Sequence, residues 1–200
     1  AVAVSAGGNL KRTHLELGGK APVVVFDDAD IAAAAEGIAT AAYFNAGQDC
    51  TAATRVLASA SIAADLTAAL AEQAKGATTT FGRPADDEDA WVPPVNNVNQ
   101  MERVLSFFED VPAHATVAVG GNRQGDKGFY VEPTVVGGLR QDDRMIQQEI
   151  FGPVITVQSF GDEDEAIAWS NGVEFGLASS VWTKDVSRAI RVSNALDFGC

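Results

Sequence analysis

Pro22-Val23-Val24-Val25-Phe26-Asp27-Asp28-Ala29-Asp30-Ile31 is the stretch on which the fold turns. Residues 22–26 form a continuous apolar run, the pattern of a strand buried in a parallel sheet. Asp27, Asp28 and Asp30 follow, and their short carboxylates can accept hydrogen bonds from the free N–H groups that open a helix. The helix they introduce places Ile31, Ala34, Ala35, Ile38, Ala41 and Ala42 on one face at helical spacing. Asn45-Ala46-Gly47 ends it.

Outward from this unit the alternation repeats. Ala1 to Leu10 reads as the end of a helix broken by Gly7-Gly8, and 13–17 reads as a strand. Arg55 to Ala60 reads as a second strand, after which Ser61 is expected to cap a helix carrying Ile62, Leu66, Ala69 and Leu70 inward. A helix near 97–110 and a strand near 115–119 come next. Runs at 153–160 and 178–183, each followed by a helix, continue the series. Strand–helix alternation implies an α/β fold with a mostly parallel sheet flanked by helices.

Two hundred residues suit one domain, or one and part of another. A net charge of −13 argues against a nucleic-acid partner and against an anionic membrane surface. No run approaches the roughly 18 apolar residues of a transmembrane helix, and no charged-then-apolar leader opens the chain. Cys50 and Cys200 do not make a disulfide framework, so a reducing cytoplasm is the expected location. Two histidines and no Cys/His cluster leave no zinc site, and the acidic run Asp86 to Asp89 has nothing to fix ligand geometry.

Chemistry concentrates in two places. Tyr43-Phe44-Asn45-Ala46-Gly47-Gln48-Asp49-Cys50-Thr51-Ala52 sets a lone cysteine in a Gly-bearing loop behind a helix. Leu15-Glu16-Leu17-Gly18-Gly19-Lys20-Ala21-Pro22 sets a carboxylate between leucines. A thiol and an apolar-flanked carboxylate are the ingredients of covalent thiol catalysis with a separate base. Taken singly, Cys50 reads equally as an inert buried thiol and Glu16 as a solvated edge-strand carboxylate. His14 reads as a structural histidine. Gly121, Gly125 and Gly128 lack the spacing and the strand–turn–helix setting of a dinucleotide fingerprint and read as a surface turn.

These two segments resemble the glutamate and cysteine motifs of the NAD(P)-dependent aldehyde dehydrogenase superfamily, with a look closest to γ-aminobutyraldehyde dehydrogenases. Glu149-Ile150-Phe151-Gly152-Pro153-Val154 is similar to the family's cofactor-clasping motif. Lys127 to Thr134 and Phe175 to Ala178 fall in the family order. The resemblance runs the whole length and implies an aldehyde-dehydrogenase-like fold, incomplete at both ends. Residues 1–18 would be the end of the NAD-binding domain and 19–200 a truncated catalytic domain. Two departures are Trp91-Val92-Pro93-Pro94-Val95, where the family more often has Gly-Pro, and Gln147-Gln148 ahead of Glu149.

The resemblance implies that Cys50 is the nucleophile, its pKa lowered by backbone N–H groups. It implies that Glu16 is the base for the deacylating water, desolvated by Leu15 and Leu17. Gly18, Glu149 and Phe151 would contact the cofactor, NAD or alternatively NADP. Asp49 would face an aldehyde carrying a distal ammonium, such as 4-aminobutanal, or would point away and cap the loop. Betaine aldehyde and succinate semialdehyde are the alternative substrates. A cofactor-free thiol hydrolase and an inactive structural fragment are the readings from other classes. The family also implies a homo-oligomer, dimer or tetramer, and no activity for these 200 residues by themselves.

Overall fold

The computed structural model describes residues 1–200. Its centre is a six-stranded sheet in the order β3-β4-β5-β2-β1-β6. The strands are β1 (Pro22–Val25), β2 (Arg55–Ser59), β3 (Thr116–Val119), β4 (Thr134–Gly137), β5 (Val154–Phe160) and β6 (Ser180–Trp182). All neighbours are parallel except β3, which runs antiparallel to β4 at one edge. The apolar run at 22–26 lies, as its composition requires, in the sheet interior between β2 and β6.

Residue alternation in β1 divides the core. Val23 and Val25 join α2 (Ile31–Tyr43), α3 (Ala63–Gly76) and α4 (Val98–Leu105) on one face. Val24 and Phe26 pack with Leu57, Phe160, Ala166 and Val192 on the other, under α6 (Glu163–Asn171) and α7 (Val186–Ala195). Two short helices, α1 (Val2–Gly7) and α5 (Arg144–Gln147), complete the chain. Helices on both faces of a mostly parallel sheet are what strand–helix alternation produces.

Asp30 is the cap of α2, its Oδ1 accepting the N–H groups of Ala32 and Ala33. Asp28 instead ties β6 to β1, accepting from the Thr183 hydroxyl and the Lys184 and Asp185 N–H groups. Ala34, Ala35, Ile38 and Ala42 of the expected α2 face are buried, while Ala41 is exposed. Tyr43 closes the helix from inside, donating its hydroxyl to the Thr134 carbonyl at 3.1 Å.

Several sequence expectations do not hold. Residues 13–17 form no strand. They are irregular and exposed, because no neighbouring strand takes their backbone hydrogen bonds, and His14 lies in solvent with them. Ser61 caps nothing, since α3 starts two residues later with Ile62 at its cap position. The helix expected near 97–110 is regular only over Val98–Leu105. Strand β4 was not expected at all: Pro133 and Gly137-Gly138 crowd its short Thr134-Val135-Val136 run.

Candidate active site

Three loops enter the sheet at the amino ends of its adjacent strands β1, β2 and β5. They carry Glu16 to Gly19, Gln48 to Cys50, and Glu149 to Phe151. Parallel α/β sheets ordinarily place ligands at the carboxyl ends. Here the opposite edge holds an open groove of about 510 Å³ lined by Glu16, Leu17, Gly18, Gln48, Asp49, Cys50, Glu149 and Phe151. Every candidate residue read from the sequence lines it.

The loops are locked together through their backbones. Gly47 has φ +71°, and a Cβ there would collide with the Gly152 carbonyl, so the cysteine loop lies directly on the Phe151–Pro153 loop. A Cβ at Gly19 would likewise collide with the Cys50 carbonyl. Side chains then pin the outer loop. Gln100 Nε2 donates to the Phe151 carbonyl at 2.7 Å and to that of Ile150 at 3.2 Å, and Arg103 donates to the Glu149 carbonyl at 2.6 Å. The Asn96 N–H donates to Gln48 Oε1 at 2.7 Å. Gln48, Gln100 and Arg103 escaped sequence reading because only the fold brings α4 beside these loops.

Backbone conformations off the common regions cluster at the same place. Asn45, Ala46 and Phe151 all take positive φ, 50°, 55° and 58°. A bulky residue such as Phe151 is an outlier there, and such strain persists where surrounding contacts over-determine it. Phe151 thereby presents its half-buried ring to the groove beside Cys50 and Glu149.

Cys50 is half-buried, and its N–H donates to no protein oxygen. Its thiol is pushed above the ordinary range first by burial, then by the negative charges of Glu16, Asp49 and Glu149, with only its own N–H pulling the other way. The expected lowering by backbone N–H groups is therefore reversed: three carboxylates converge on the thiol, which no linear reading of the chain displays. Glu16 is exposed and accepts the Gly18 N–H at 3.0 Å. Leu15 and Leu17 are 45% and 77% exposed, so they do not desolvate the carboxylate as expected. Asp49 Oδ1 accepts both the N–H and the hydroxyl of Thr51, each at 2.7 Å, so it caps its loop while lining the groove.

Glu149 Oε1 accepts the Gly19 N–H at 2.9 Å. Gly18 has φ +88°, and a Cβ on it would lie 2.6 Å from Glu149 Oε2. Only a glycine lets the main chain lie so flat against this carboxylate and leave it open to the groove. A carboxylate with spare lone pairs beside an aromatic ring fits a ligand that offers a pair of hydroxyls and a flat ring, as the nicotinamide half of NAD does. No three His, Cys, Asp or Glu side chains converge as a metal site.

Fold and groove together define an α/β domain that gathers a thiol, three carboxylates and an aromatic ring at the amino ends of three adjacent inner strands. The chain belongs to the aldehyde dehydrogenase family, whose model matches residues 1–200. It is 42% identical over 98% of its length to an aldehyde dehydrogenase of Emericella nidulans, and 40% identical over 99% to a betaine aldehyde dehydrogenase of Rhizobium leguminosarum. A crystal structure of betaine aldehyde dehydrogenase from Staphylococcus aureus in complex with NAD+ superimposes with a TM-score of 0.91 at 37% identity, covering 99% of this chain. An NAD-dependent aldehyde dehydrogenase from Sinorhizobium meliloti gives 0.92 at 36% identity. The chain spans about two fifths of these proteins, 39% and 41% of the two relatives and 40% of the Staphylococcus structure. No helix is long and apolar enough to cross a membrane.

Proposed function

We propose that this chain carries the nucleophile, the base and the nicotinamide-side contacts of an NAD-dependent aldehyde dehydrogenase acting on an aminoaldehyde such as 4-aminobutanal. The observation that carries the reading is the convergence of Cys50, Glu16, Glu149 and Phe151 on one groove from three separate loops. In this reading residues 1–18 belong to the cofactor-binding domain and 19–200 to the catalytic domain. The exposure of nearly all of 1–17 beside a core that begins at Gly19 supports that boundary.

As Cys50 gives its thiol proton to groove water, Sγ attacks the aldehyde carbon, and the free Cys50 N–H donates to the oxyanion that forms. When bound, NAD supplies the acceptor for the hydride that leaves the thiohemiacetal on Cys50, and a thioester results. Glu149 holds ribose hydroxyls, Phe151 packs against the ring, and Gly18 leaves both room. Glu16 takes the proton of the water that attacks the thioester, releasing the acid and restoring the thiol.

The carboxylates supply the substrate argument. Glu16, Asp49 and Glu149 all act on Cys50 to disfavour its thiolate. A substrate that brings a positive charge into the groove offsets them and eases thiol ionisation as it binds. Betaine aldehyde shares that charge, whereas succinate semialdehyde adds a fourth negative one. A thiol hydrolase would need neither the Glu149 clasp nor the strained Phe151. A reducing cytoplasm would keep Cys50 a thiol. As the family resemblance implies, the full-length protein would be a homo-oligomer, dimer or tetramer.

Rates of NADH and NADPH formation with 4-aminobutanal, betaine aldehyde, succinate semialdehyde and butanal test the reading in a full-length form of the protein. The expected ranking puts the cationic aldehydes first, with NAD preferred. Asp49→Asn should cost 4-aminobutanal about tenfold in kcat/KM and leave butanal nearly unchanged. Equal losses on both would make Asp49 a loop cap only.

A further inference from the structure

Each loop of the groove has a side chain that fixes its main chain. Arg55, wholly buried at the start of β2, donates Nε to the carbonyl of Lys20, itself 1% exposed, at 3.2 Å. Gln100 and Arg103 of α4 hold the carbonyls of residues 149–151. The cysteine loop has Gln48. Between α2 and Cys50 the chain reverses through three successive left-handed residues, Asn45, Ala46 and Gly47. Such a run costs about 1–2 kcal/mol for each residue that bears a Cβ. Ala46 is buried in the core and cannot turn outward to escape it. Gln48 closes the turn: its N–H and its Nε2 both donate to the Asn45 carbonyl at 3.1 Å, and its own carbonyl accepts Asn45 Nδ2 at 3.0 Å. Its Oε1 accepts the Asn96 N–H at 2.7 Å, the one hydrogen bond between the cysteine loop and the segment that opens α4.

We propose that Gln48 is the positioning residue of Cys50: its amide locks the left-handed turn before the thiol and ties the cysteine loop to α4, which also carries the Glu149–Phe151 loop. The proposal rests on the reading of Cys50 as the nucleophile and of that loop as a cofactor contact. Both ends of the amide are committed to main chain, so Gln48 lines the groove without supplying the proton or the charge of any step. What it supplies is distance. Gln100 and Arg103 set where α4 meets the clasp, and Val104 lies under Gly152, where a Cβ would come within 2.5 Å of it. The Asn96 N–H sets where Gln48 meets the start of the same helix. The carbon bonded to Sγ must face the nicotinamide closely when hydride leaves it, and a misplacement of about 1 Å costs such a step about 100-fold. Without Gln48 the turn is free to relax its strain, and the thiol moves with it.

The test is Gln48→Met in a full-length form, with NAD and 4-aminobutanal. Single-turnover NADH formation should slow about 100-fold while the Kd for NAD stays within about twofold, because the clasp keeps its own anchors. Without NAD, Cys50 should alkylate faster, its midpoint moved down toward that of an ordinary thiol as the loop leaves the burial and the carboxylates that hold it up. A merely structural glutamine would lower the melting temperature and leave both properties of the folded enzyme unchanged, and that result overturns the proposal. So does a parallel loss of NAD affinity, which would place Gln48 among the cofactor contacts. Should Gln48→Met fail to fold, Asn45→Gly decides. It suits the positive φ, removes the Asn45 Nδ2 bond to Gln48 and should move both readouts the same way by a smaller factor. No movement in either overturns the proposal. If Cys50→Ala retains turnover in the same form, the nucleophile reading falls instead.

Discussion

The two sides of the groove are held in opposite ways. The side bearing Cys50, Glu149 and Phe151 is wedged: Gly47 lies on the Gly152 carbonyl, Gly19 on the Cys50 carbonyl, and Gln100 and Arg103 clamp the outer loop. The side bearing Glu16 hangs free. Residues 9–17 are exposed and irregular, and the Glu16 carboxylate touches the domain through the Gly18 N–H alone. Cys50 and Glu149 are built into the domain core, whereas Glu16 rides on a segment that the core does not hold. In the proposed function, the cofactor-binding domain to which residues 1–18 belong would define the working position of the base.

That contrast can be broken most severely at the thiol. Cys50→Ala in a full-length form should cut aldehyde oxidation by about 10⁴-fold or more while NAD binding persists, because nothing else in the groove can form the covalent intermediate. Steady turnover by a folded variant would remove Cys50 from the mechanism. Cys200, exposed at the chain end, should tolerate the same change. The 200-residue chain alone, about two fifths of its relatives' length, should alkylate at Cys50 yet form no NADH, since binding energy from remote parts of the cofactor would not position the nicotinamide.

Next in size is the response of stability to pH. Lys20 titrates at about 7 when folded and at the ordinary 10.5 when unfolded, so between these values the unfolded chain binds the extra proton. Stability should therefore rise with pH across that window, by up to roughly 5 kcal/mol for a fully buried amine. Denaturant melts from pH 6.5 to 10.5 would reveal this, and Lys20→Met should flatten the slope. A slope of the opposite sign would mean that Lys20 is not buried as an isolated charge.

Smaller, and aimed at the wedge itself, is Gly47→Ala. It should cost about 2–4 kcal/mol, through strain at positive φ and collision with the Gly152 carbonyl. Leu17→Ala and Glu16→Gln on the free side should stay within about 0.5 kcal/mol. Equal costs on both sides would erase the distinction. Smallest is a shift in thiol reactivity. The rate of Cys50 alkylation against pH should show a midpoint above that of an ordinary thiol, and Asp49→Asn or Glu16→Gln should each lower it, because each removes a negative charge that opposes the thiolate.

The sequence carried the sheet core plainly. An unbroken Pro22–Phe26 run has no use on a surface, and Asp30 stands where a helix cap must. It misled where a pattern lacked a partner: Leu15-Glu16-Leu17 alternates like a strand, but a strand exists only beside another. It was mute on β4, whose short run is masked by flanking proline and glycines. The groove residues were legible through motifs, each lying within a few positions of a strand start. Lys20 and Arg55 were not, because a charged residue at the mouth of an apolar strand reads as a solvated end. The thiol's electrostatics were misjudged for the same reason. Glu16 and Glu149 approach Cys50 only in three dimensions.

The division of labour across the groove is tested most directly by rapid-quench kinetics on Glu16→Gln in a full-length form with NAD and 4-aminobutanal. In the proposed function acylation belongs to Cys50 and should survive, while deacylation belongs to Glu16 and should fail. The expected result is a burst of about one NADH per site, a slow steady state, and an acyl group recovered on the peptide containing Cys50. Loss of the burst together with turnover, with no acyl group on Cys50, would contradict the account.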